Sequence, residues 1–157
     1  MYRKILLAVD GSDASQWAIR EACRLVKAVG AQLKVINVVI ESAADACHSP
    51  SVYHDRLFES LRADGRKALA RAAAILREEG VPFEEQLVET IGGHVAAEIV
   101  RQATNCGADL IVMGTHGTSA LRRRALGSEA ERVIHTAPVP VLLARDRRHE
   151  ENDPVAA

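Results

Sequence analysis

The residues with the clearest chemical potential in this chain lie in a loop that contains three glycines. Two residues separate Gly114 from Gly117, nine separate Gly117 from Gly127, and Ser128 follows at once. An apolar run that predicts a strand precedes the loop, and a helical pattern follows it. Glycine lets a backbone approach a ligand closely, and the first N–H groups of a helix have no partner within it. The spacing therefore predicts a cradle for an anion such as phosphate.

Asp10 is the second candidate, because it ends another apolar run, Ile5 to Val9. In open sheets of parallel strands, ligands bind beyond the carboxyl ends of the strands, where the strand order reverses. If the strands before Asp10 and Gly114 are neighbours, one crevice receives both residues. We therefore expect a nucleotide there, with its phosphates on the glycine loop and Asp10 near a ribose hydroxyl or a bound Mg²⁺.

Each of these residues also has a purely structural interpretation. Gly114 and Gly117 could serve a tight loop that needs a positive φ. Ser128 and Glu131 have the spacing of a capping box, in which the serine hydroxyl accepts a hydrogen bond from the backbone N–H three residues later. Asp10 could cap the turn that follows it. The sequence leaves these alternatives open beside the nucleotide hypothesis.

Charged side chains near the glycine loop act in both directions on a phosphate. Arg122 to Arg124 could clamp a triphosphate, although a solvated loop is the simpler interpretation for at least two of them. Glu129 and Glu131 complement the dipole of the following helix but repel phosphate, so Mg²⁺ or the arginines would have to offset their charge. His116 is more simply a solvent-facing loop histidine than a general base.

Common catalytic and metal-binding patterns are missing from the sequence. It has no GxxxxGK[ST] phosphate loop and no GxGxxG after the first strand, which argues against a P-loop NTPase or a dinucleotide dehydrogenase. Cys47, His48 and His54 do not have the spacing of a standard zinc site. Neither a Ser-His-Asp nor a Cys-His arrangement can be argued. The sequence favours binding and sensing over catalysis, with slow hydrolysis of a bound nucleotide at most.

Apolar runs alternate with helical periodicity, and this predicts five strands and four helices in strict alternation. Such chains form parallel sheets with right-handed crossovers and helices on both faces, so we predict a three-layer α/β/α sandwich. The predicted strands are Ile5–Val9, Leu33–Ile40, Phe83–Val88, Leu110–Met113 and Val141–Ala144. The predicted helices begin at Ser12 or Asp13, run from about Tyr53 to Glu79, follow Gly92-Gly93, and run from Ser128 to His135.

Two of these helices have an apolar face that we expect to be buried. The periodicity assigns three residues of the last helix to the core, and a longer row to the helix that starts near Tyr53. The expected buried residues are Ala130, Val133 and Ile134 in the last helix, and Leu57, Leu61, Ala68, Leu69, Ala72, Ile75 and Leu76 in the long one.

Composition narrows the class of protein. A chain of 157 residues predicts one domain, here residues 1–145, with a charged tail at 146–157 that we expect to fray. Its net charge of −1 and its 3% of aromatic residues argue against nucleic acid as a partner. Three scattered cysteines are typical of a reducing compartment. The apolar runs are too short for a signal peptide or a membrane span, so we expect a cytoplasmic protein without a membrane partner.

These residues resemble the universal stress protein family over nearly the whole chain, from ILLAVDGS near the start to PVPVLLA near the end. The most specific likeness is Gly114-x2-Gly117-x9-Gly127-Ser128, which is similar to the motif of the ATP-binding branch. The resemblance implies a Rossmann-like sheet with strand order 3-2-1-4-5, which places the first and fourth strands side by side. It also implies ATP on the glycine loop, and an adenine slot lined by Ala8, Val9 and the backbone near Val38.

The resemblance further implies a homodimer through the last strand, Val139 to Leu143. An uncovered apolar edge gives the dimer an independent motive, since such an edge tends to find a partner strand. The sequence thus predicts an ATP-binding, dimeric, nucleotide-dependent switch in a stress response. The expected nucleotide-binding residues are Ala8, Val9, Asp10, Val38, Met113, Gly114, His116, Gly117, Gly127, Ser128 and Glu129, with Asp10 also a candidate Mg²⁺ ligand.

Two alternatives remain from the sequence. One is an enzyme, either a weak ATPase or a protein that phosphorylates itself. The other is a dimer of the same fold that binds no ATP or prefers another adenine nucleotide. The acceptors for the self-phosphorylating alternative would be residues such as Thr115, Thr118, Ser119 and Ser128.

Overall fold

The computed structural model describes residues 1–41, 52–117 and 126–145, without the side chains of residues 52–55. In the described part of the chain, five strands alternate with four helices, as the sequence predicts. The strands are β1 (Lys4–Ala8), β2 (Gln32–Glu41), β3 (Glu84–Ile91), β4 (Leu110–Gly114) and β5 (Val141–Ala144). The helices are α1 (Asp13–Val29), α2 (Val52–Glu78), α3 (Val95–Cys106) and α4 (Ser128–Thr136).

All five strands are parallel and lie in the order β3-β2-β1-β4-β5. This confirms the fold class and the strand order expected above. The register pairs Ala8 at the end of β1 with Ile36 of β2 on one side and with Met113 of β4 on the other. Because β1 and β4 end side by side, the loops that follow them leave the same edge of the sheet.

Two apolar layers cover the two faces of the sheet. On one face, α1 and α2 pack against alternate residues of the central strands, such as Leu7 and Val35. On the other, α3 and α4 pack against the intervening residues, such as Leu6 and Ile36. The alternation follows from the pleat, which directs successive side chains to opposite faces. The central strands are thus buried on both sides, as their continuous apolar runs predict.

Local sequence signals fix the ends of the first and third helices. The Ser12 hydroxyl accepts a hydrogen bond from the Ser15 N–H, 3.1 Å away, and so caps α1. Gly30 ends that helix in the left-handed conformation, with φ 69°. Gly107 ends α3 in the same way, with φ 67°. These glycines remove the steric penalty that other residues meet at such a cap.

Asp109 joins β4 to β1 at the amino ends of these strands. Its carboxylate accepts hydrogen bonds from the Arg3 N–H at 3.1 and 2.9 Å and from the Lys4 N–H at 3.1 Å. These donors, Arg3 first, hold the pKa of the Asp109 carboxyl below its usual range. The residue before β4 is therefore fixed to the start of β1.

Of the two edge strands, β3 differs from its predicted bounds and β5 matches them. β3 continues to Ile91, three residues past the predicted Val88, because it pairs with β2 along its whole length. β5 spans Val141–Ala144, as predicted, and the segment expected to form the dimer, Val139 to Leu143, includes the two residues before it. The Pro140 carbonyl, just before β5, accepts the Ile111 N–H at 3.0 Å.

Three residues assigned to the core are exposed. Leu57 and Leu61 are 48% and 41% exposed, because the buried face of α2 in the described side chains begins only at Gly65. Ile134 is 45% exposed, since Ala130 and Val133 form the buried face of α4 and the next residue lies about 100° further around the helix. No helix among the described residues is both long and apolar enough to cross a membrane.

Candidate functional site

The loops that follow β1 and β4 are in direct contact. The Ser12 hydroxyl donates a hydrogen bond to the His116 carbonyl, 3.3 Å away. A Cβ placed on Gly117 would lie 3.0 Å from Oδ2 of Asp10. The fold therefore brings Asp10 and the glycine loop, which are more than 100 residues apart in the sequence, to the same place at the carboxyl edge of the sheet.

The two carboxylate oxygens of Asp10 do different things. Oδ1 accepts the Ser12 N–H at 2.9 Å, which closes the turn before α1. Oδ2 faces Gly117. The capping interpretation of Asp10 is thus correct for one oxygen, while the other is directed at the glycine loop. Asp10 is also exposed, so Oδ2 is in a position to meet a ligand.

Gly114 and Gly127 bring protein segments close to each other. A Cβ on Gly114 would lie 2.8 Å from Ala14 in the first turn of α1, and one on Gly127 would lie 3.1 Å from the Thr115 carbonyl oxygen. None of the three motif glycines has a positive φ, so the tight-loop interpretation of Gly114 and Gly117 is wrong. Gly117 differs from the other two because it is exposed at the surface of the loop.

The start of α4 is not a capping box. Gly127 is the N-cap residue, without a side-chain hydrogen bond, and its carbonyl accepts the Glu131 N–H at 2.9 Å. The helix therefore begins at Ser128, one position earlier than a capping box with Ser128 as its N-cap requires, and the Ser128 hydroxyl makes no cap. The backbone N–H groups of residues 128–130 have no acceptor among the described residues. They form an uncapped helix N-terminus beside Gly117.

The carboxylate of Glu129 belongs to a neighbouring helix. It accepts the backbone N–H of Ala96 at 2.6 Å and so caps α3. The N-cap residue of α3, His94, makes no side-chain cap hydrogen bond of its own. Of the two carboxylates that argued against phosphate at the start of α4, that of Glu129 is therefore directed to the N-terminus of α3, while Glu131 is exposed. Sequence reasoning missed this contact because its partners are 33 residues apart.

A further pair of polar backbone groups lies at the end of β1. The Val9 N–H donates to the Ile36 carbonyl at 2.9 Å, and the Val9 carbonyl accepts from Nδ2 of Asn37 at 2.8 Å. In a parallel ladder the N–H and C=O of one residue point to the same neighbouring strand, and every second residue repeats that direction. Val38 therefore points to the same side as Ile36, beyond the last paired residue of β1.

No backbone hydrogen bond reaches Val38 from β1 or its loop in the described part of the chain. Gly11, with φ 81°, turns the chain away after Asp10, so no N–H follows to meet the Val38 carbonyl. Ala8 is half-buried, and Val9 and Met113 are 4% and 8% exposed, with their side chains in the apolar layers on opposite faces of the sheet. The expected adenine-slot residues thus lie at one site.

Thr115 and His116 line the inner part of the loop. The Thr115 backbone is fixed, since its carbonyl accepts the Gly127 N–H at 2.8 Å and its N–H donates to the Ala144 carbonyl at 3.0 Å. Its hydroxyl is buried and has no hydrogen-bond partner among the described residues. His116 is half-buried, which corrects the expectation of a solvent-facing histidine.

Other predicted side chains lie outside the described residues. This applies to Arg122–Arg124, to Thr118 and Ser119, to Cys47 and His48, to the side chain of His54, and to the tail 146–157. The described residues contain no group of three or more His, Cys, Asp or Glu side chains that could hold a metal ion.

Comparisons with known proteins agree on one family. Residues 1–145 match the universal stress protein family. A universal stress protein of Methanocaldococcus jannaschii is 37% identical over 150 residues, which cover 96% of this chain and 86% of that protein. The solved UspA of Lactobacillus plantarum has a TM-score of 0.76 at 28% identity, covering 92% of this chain and 98% of that one.

Two further similar structures contain nucleotides. A universal stress protein from Archaeoglobus fulgidus in complex with dAMP has a TM-score of 0.66 at 26% identity, covering 92% of this chain and 98% of that one. A universal stress protein in complex with cAMP has a TM-score of 0.63 at 26% identity, covering 92% and 97%.

Proposed function

We propose that this chain, which belongs to the universal stress protein family, binds an adenine nucleotide in the crevice between the ends of β1 and β4. The observation that carries the proposal is the uncapped N-terminus of α4, next to exposed Gly117 and facing the loop of Asp10. The relatives solved with dAMP and cAMP support an adenine nucleotide as the ligand.

The phosphates are held by backbone N–H groups. The N–H groups of Ser128, Glu129 and Ala130 have no internal acceptor, and the positive end of the α4 dipole adds to their attraction for an anion. The Glu129 carboxylate does not occupy these N–H groups, since it accepts the N–H of Ala96 at the start of α3. The loop spacing G-x2-G-x9-GS supports ATP among the adenine nucleotides.

The base is read by the backbone of Val38. Its N–H is a donor and its C=O is an acceptor, both on the side where β1 has ended. The Watson–Crick edge of adenine offers the complementary pair, an acceptor at N1 and donors at N6. Guanine presents a donor at N1 and an acceptor at O6. Its N1–H would face the Val38 N–H, and its O6 would face the Val38 carbonyl. This arrangement favours adenine over guanine.

Asp10 serves the middle of the nucleotide. Its Oδ2 is directed toward Gly117, between the Val38 backbone and the start of α4. We assign to Oδ2 a hydrogen bond from a ribose hydroxyl or a contact with Mg²⁺ carried by the triphosphate. Carboxylate oxygen is a ligand that Mg²⁺ accepts readily in nucleotide sites.

The nucleotide acts as a switch on a homodimer. Its phosphates would lie on the loop after β4, and the Thr115 N–H of that loop bonds directly to Ala144 in the edge strand β5. Occupancy therefore changes the constraints on the edge at which a second copy pairs. Binding and sensing, rather than turnover, is the activity that this set of residues supports.

Nucleotide analysis of the purified protein tests the proposal. The protein is denatured, and the supernatant is run by nucleotide chromatography. Calorimetry on nucleotide-free protein then compares Mg-ATP, Mg-GTP and AMP. We expect an adenine nucleotide in the supernatant, and heat from Mg-ATP that exceeds that from Mg-GTP. No released nucleotide together with no heat from any adenine nucleotide would refute the proposal. Tighter binding of AMP than of ATP would instead reassign the ligand.

A further inference from the structure

Two groups of β2 could donate a hydrogen bond to the Val9 carbonyl, the Val38 N–H and the Asn37 side chain, and only the Asn37 side chain does so. The register pairs Ala8 with Ile36, so a ladder extended by one step would join the Val38 N–H to the Val9 carbonyl. In the structure the Val9 carbonyl instead accepts Nδ2 of Asn37 at 2.8 Å. The side-chain amide of Asn37 thus bonds to the Val9 carbonyl, which an extended ladder would instead join to the Val38 N–H.

Asn37 is a costly residue at this position. It is 7% exposed and lies between apolar residues in the middle of β2, and its Oδ1 has no hydrogen-bond partner among the described residues. Helix α2 admits the amide through a glycine, since a Cβ on Gly65 would collide with Asn37 Oδ1 and with Leu87. A buried amide with half of its hydrogen-bonding capacity unused destabilises a fold relative to an apolar residue of similar size.

We propose that Asn37 is a positioning residue for the nucleobase, a role that rests on the nucleotide-binding function proposed above. By holding the Val9 carbonyl, it keeps the Val38 N–H unpaired and directed into the crevice. Without Asn37, the Val38 N–H bonds to the Val9 carbonyl and extends the ladder between β1 and β2. That N–H is then no longer available to the base. The amide therefore keeps open a backbone donor for adenine, although it does not touch the nucleotide itself.

Asn37→Leu is the direct test, because leucine has a similar volume and no donor. We expect ATP affinity to fall about tenfold, the effect of one hydrogen bond of roughly 1.4 kcal/mol. Affinity for inorganic tripolyphosphate stays unchanged, since that probe uses only the phosphate end of the site. GTP affinity also stays unchanged, so the ATP-to-GTP preference falls about tenfold. Isothermal titration calorimetry with the three probes measures this.

Amide hydrogen exchange gives a readout that a merely structural role would not move. In the free wild-type protein, the Val38 N–H exchanges faster than that of Ile36, and ATP slows it. In free Asn37→Leu protein, the Val38 N–H becomes protected, because it now bonds to the Val9 carbonyl. If Asn37→Leu does not fold, the wild-type measurement decides alone: a Val38 N–H as protected as that of Ile36 without nucleotide overturns the proposal.

Gln102→Leu is the matched control. Gln102 is also 7% exposed and hydrogen-bonded, but its partner is Glu98 on α3. This variant loses a comparable buried amide and should keep the ATP-to-GTP preference of the wild type. An unchanged preference in Asn37→Leu would overturn the role of Asn37 while leaving nucleotide binding intact. No heat from ATP with the wild type would overturn the proposed function itself, and the base-positioning role with it.

Discussion

Glu129 shows how one residue near the site serves two partners. Its backbone N–H is among those left free at the start of α4, while its carboxylate accepts the Ala96 N–H at 2.6 Å. An ionised acceptor on a backbone N–H makes a stronger hydrogen bond than a neutral one. The first turn of α3 is therefore fixed to the first turn of α4, and the free N–H groups of α4 are held in place by a neighbouring helix.

Removal of this carboxylate gives the first prediction. Glu129→Ala leaves the N-terminus of α3 without a side-chain cap, and the loss of a cap costs about 1 kcal/mol. We expect the free energy of unfolding in urea at pH 7 to fall by about that amount. Glu131→Ala is the matched control, since Glu131 is an exposed glutamate in the same helix. Equal stability losses in the two variants would contradict the capping role.

At the scale of single residues, the spacing in the sequence identified positions that the fold brings together, but not all of their contacts. Asp10, Gly117 and Gly127 were identified from spacing, and the fold brings them together. Gly127 has a further packing role that the spacing did not indicate, because close approach between two segments of one chain leaves no local signal. Asn37 was overlooked because its hydrogen-bond partner, Val9, is distant in the sequence. A lone amide in the run LKVINVVI is nevertheless a signal that the side chain makes a specific hydrogen bond.

At the scale of elements, the connection from β4 to α4 depends on a close crossing of backbone. Gly127 is packed 3.1 Å from the Thr115 carbonyl oxygen and 3.2 Å from Cα of His116, measured from an added Cβ. The Gly127 N–H also donates to that carbonyl at 2.8 Å. Contact with the end of β4 therefore fixes the position of the start of α4, and with it the position of the free N–H groups.

The second prediction concerns this crossing. Gly127→Val forces the two segments apart, at an overpacking cost of about 1–3 kcal/mol. We expect ATP affinity to fall at least tenfold because the N–H groups of α4 move, and circular dichroism to show a folded protein. Leu126→Val is the control, because Leu126 is 41% exposed beside it and its truncation disturbs no crossing. Wild-type ATP affinity in Gly127→Val would show that the phosphates bind elsewhere.

The order and type of the elements could be predicted because apolar periodicity reports burial directly. Their ends could not, since strand ends follow from pairing. β3 extends to Ile91 because β2 extends beside it to Glu41. Leu57 and Leu61 fit the helical period of α2 but are exposed, because periodicity defines a face and not what covers it. The predicted capping box at α4 was wrong because the N-cap residue is Gly127 and not Ser128.

At the scale of the whole molecule, the two edges of the sheet have opposite character. The β3 edge carries exposed Glu84 and Glu85, and adjacent like charges on an edge strand discourage pairing with another chain. The β5 edge carries half-buried Val141, Leu142 and Leu143. An apolar edge with unpaired backbone groups favours a second copy, so β5 is the edge through which we propose that the homodimer forms.

The third prediction separates the two edges. Leu142→Asp places a carboxylate on the β5 edge, and a twofold axis brings in a second one from the other copy. We expect dimerisation to weaken by about 2 kcal/mol or more, the loss typical of a central interface residue, and sedimentation velocity to show a monomer. A thermal melt checks that the variant is folded. Gln86→Asp puts the same charge on the exposed β3 edge and should leave the dimer intact. If Gln86→Asp dissociates the dimer and Leu142→Asp does not, the copies pair through β3, and the link from the glycine loop through Ala144 cannot carry nucleotide occupancy to the partner.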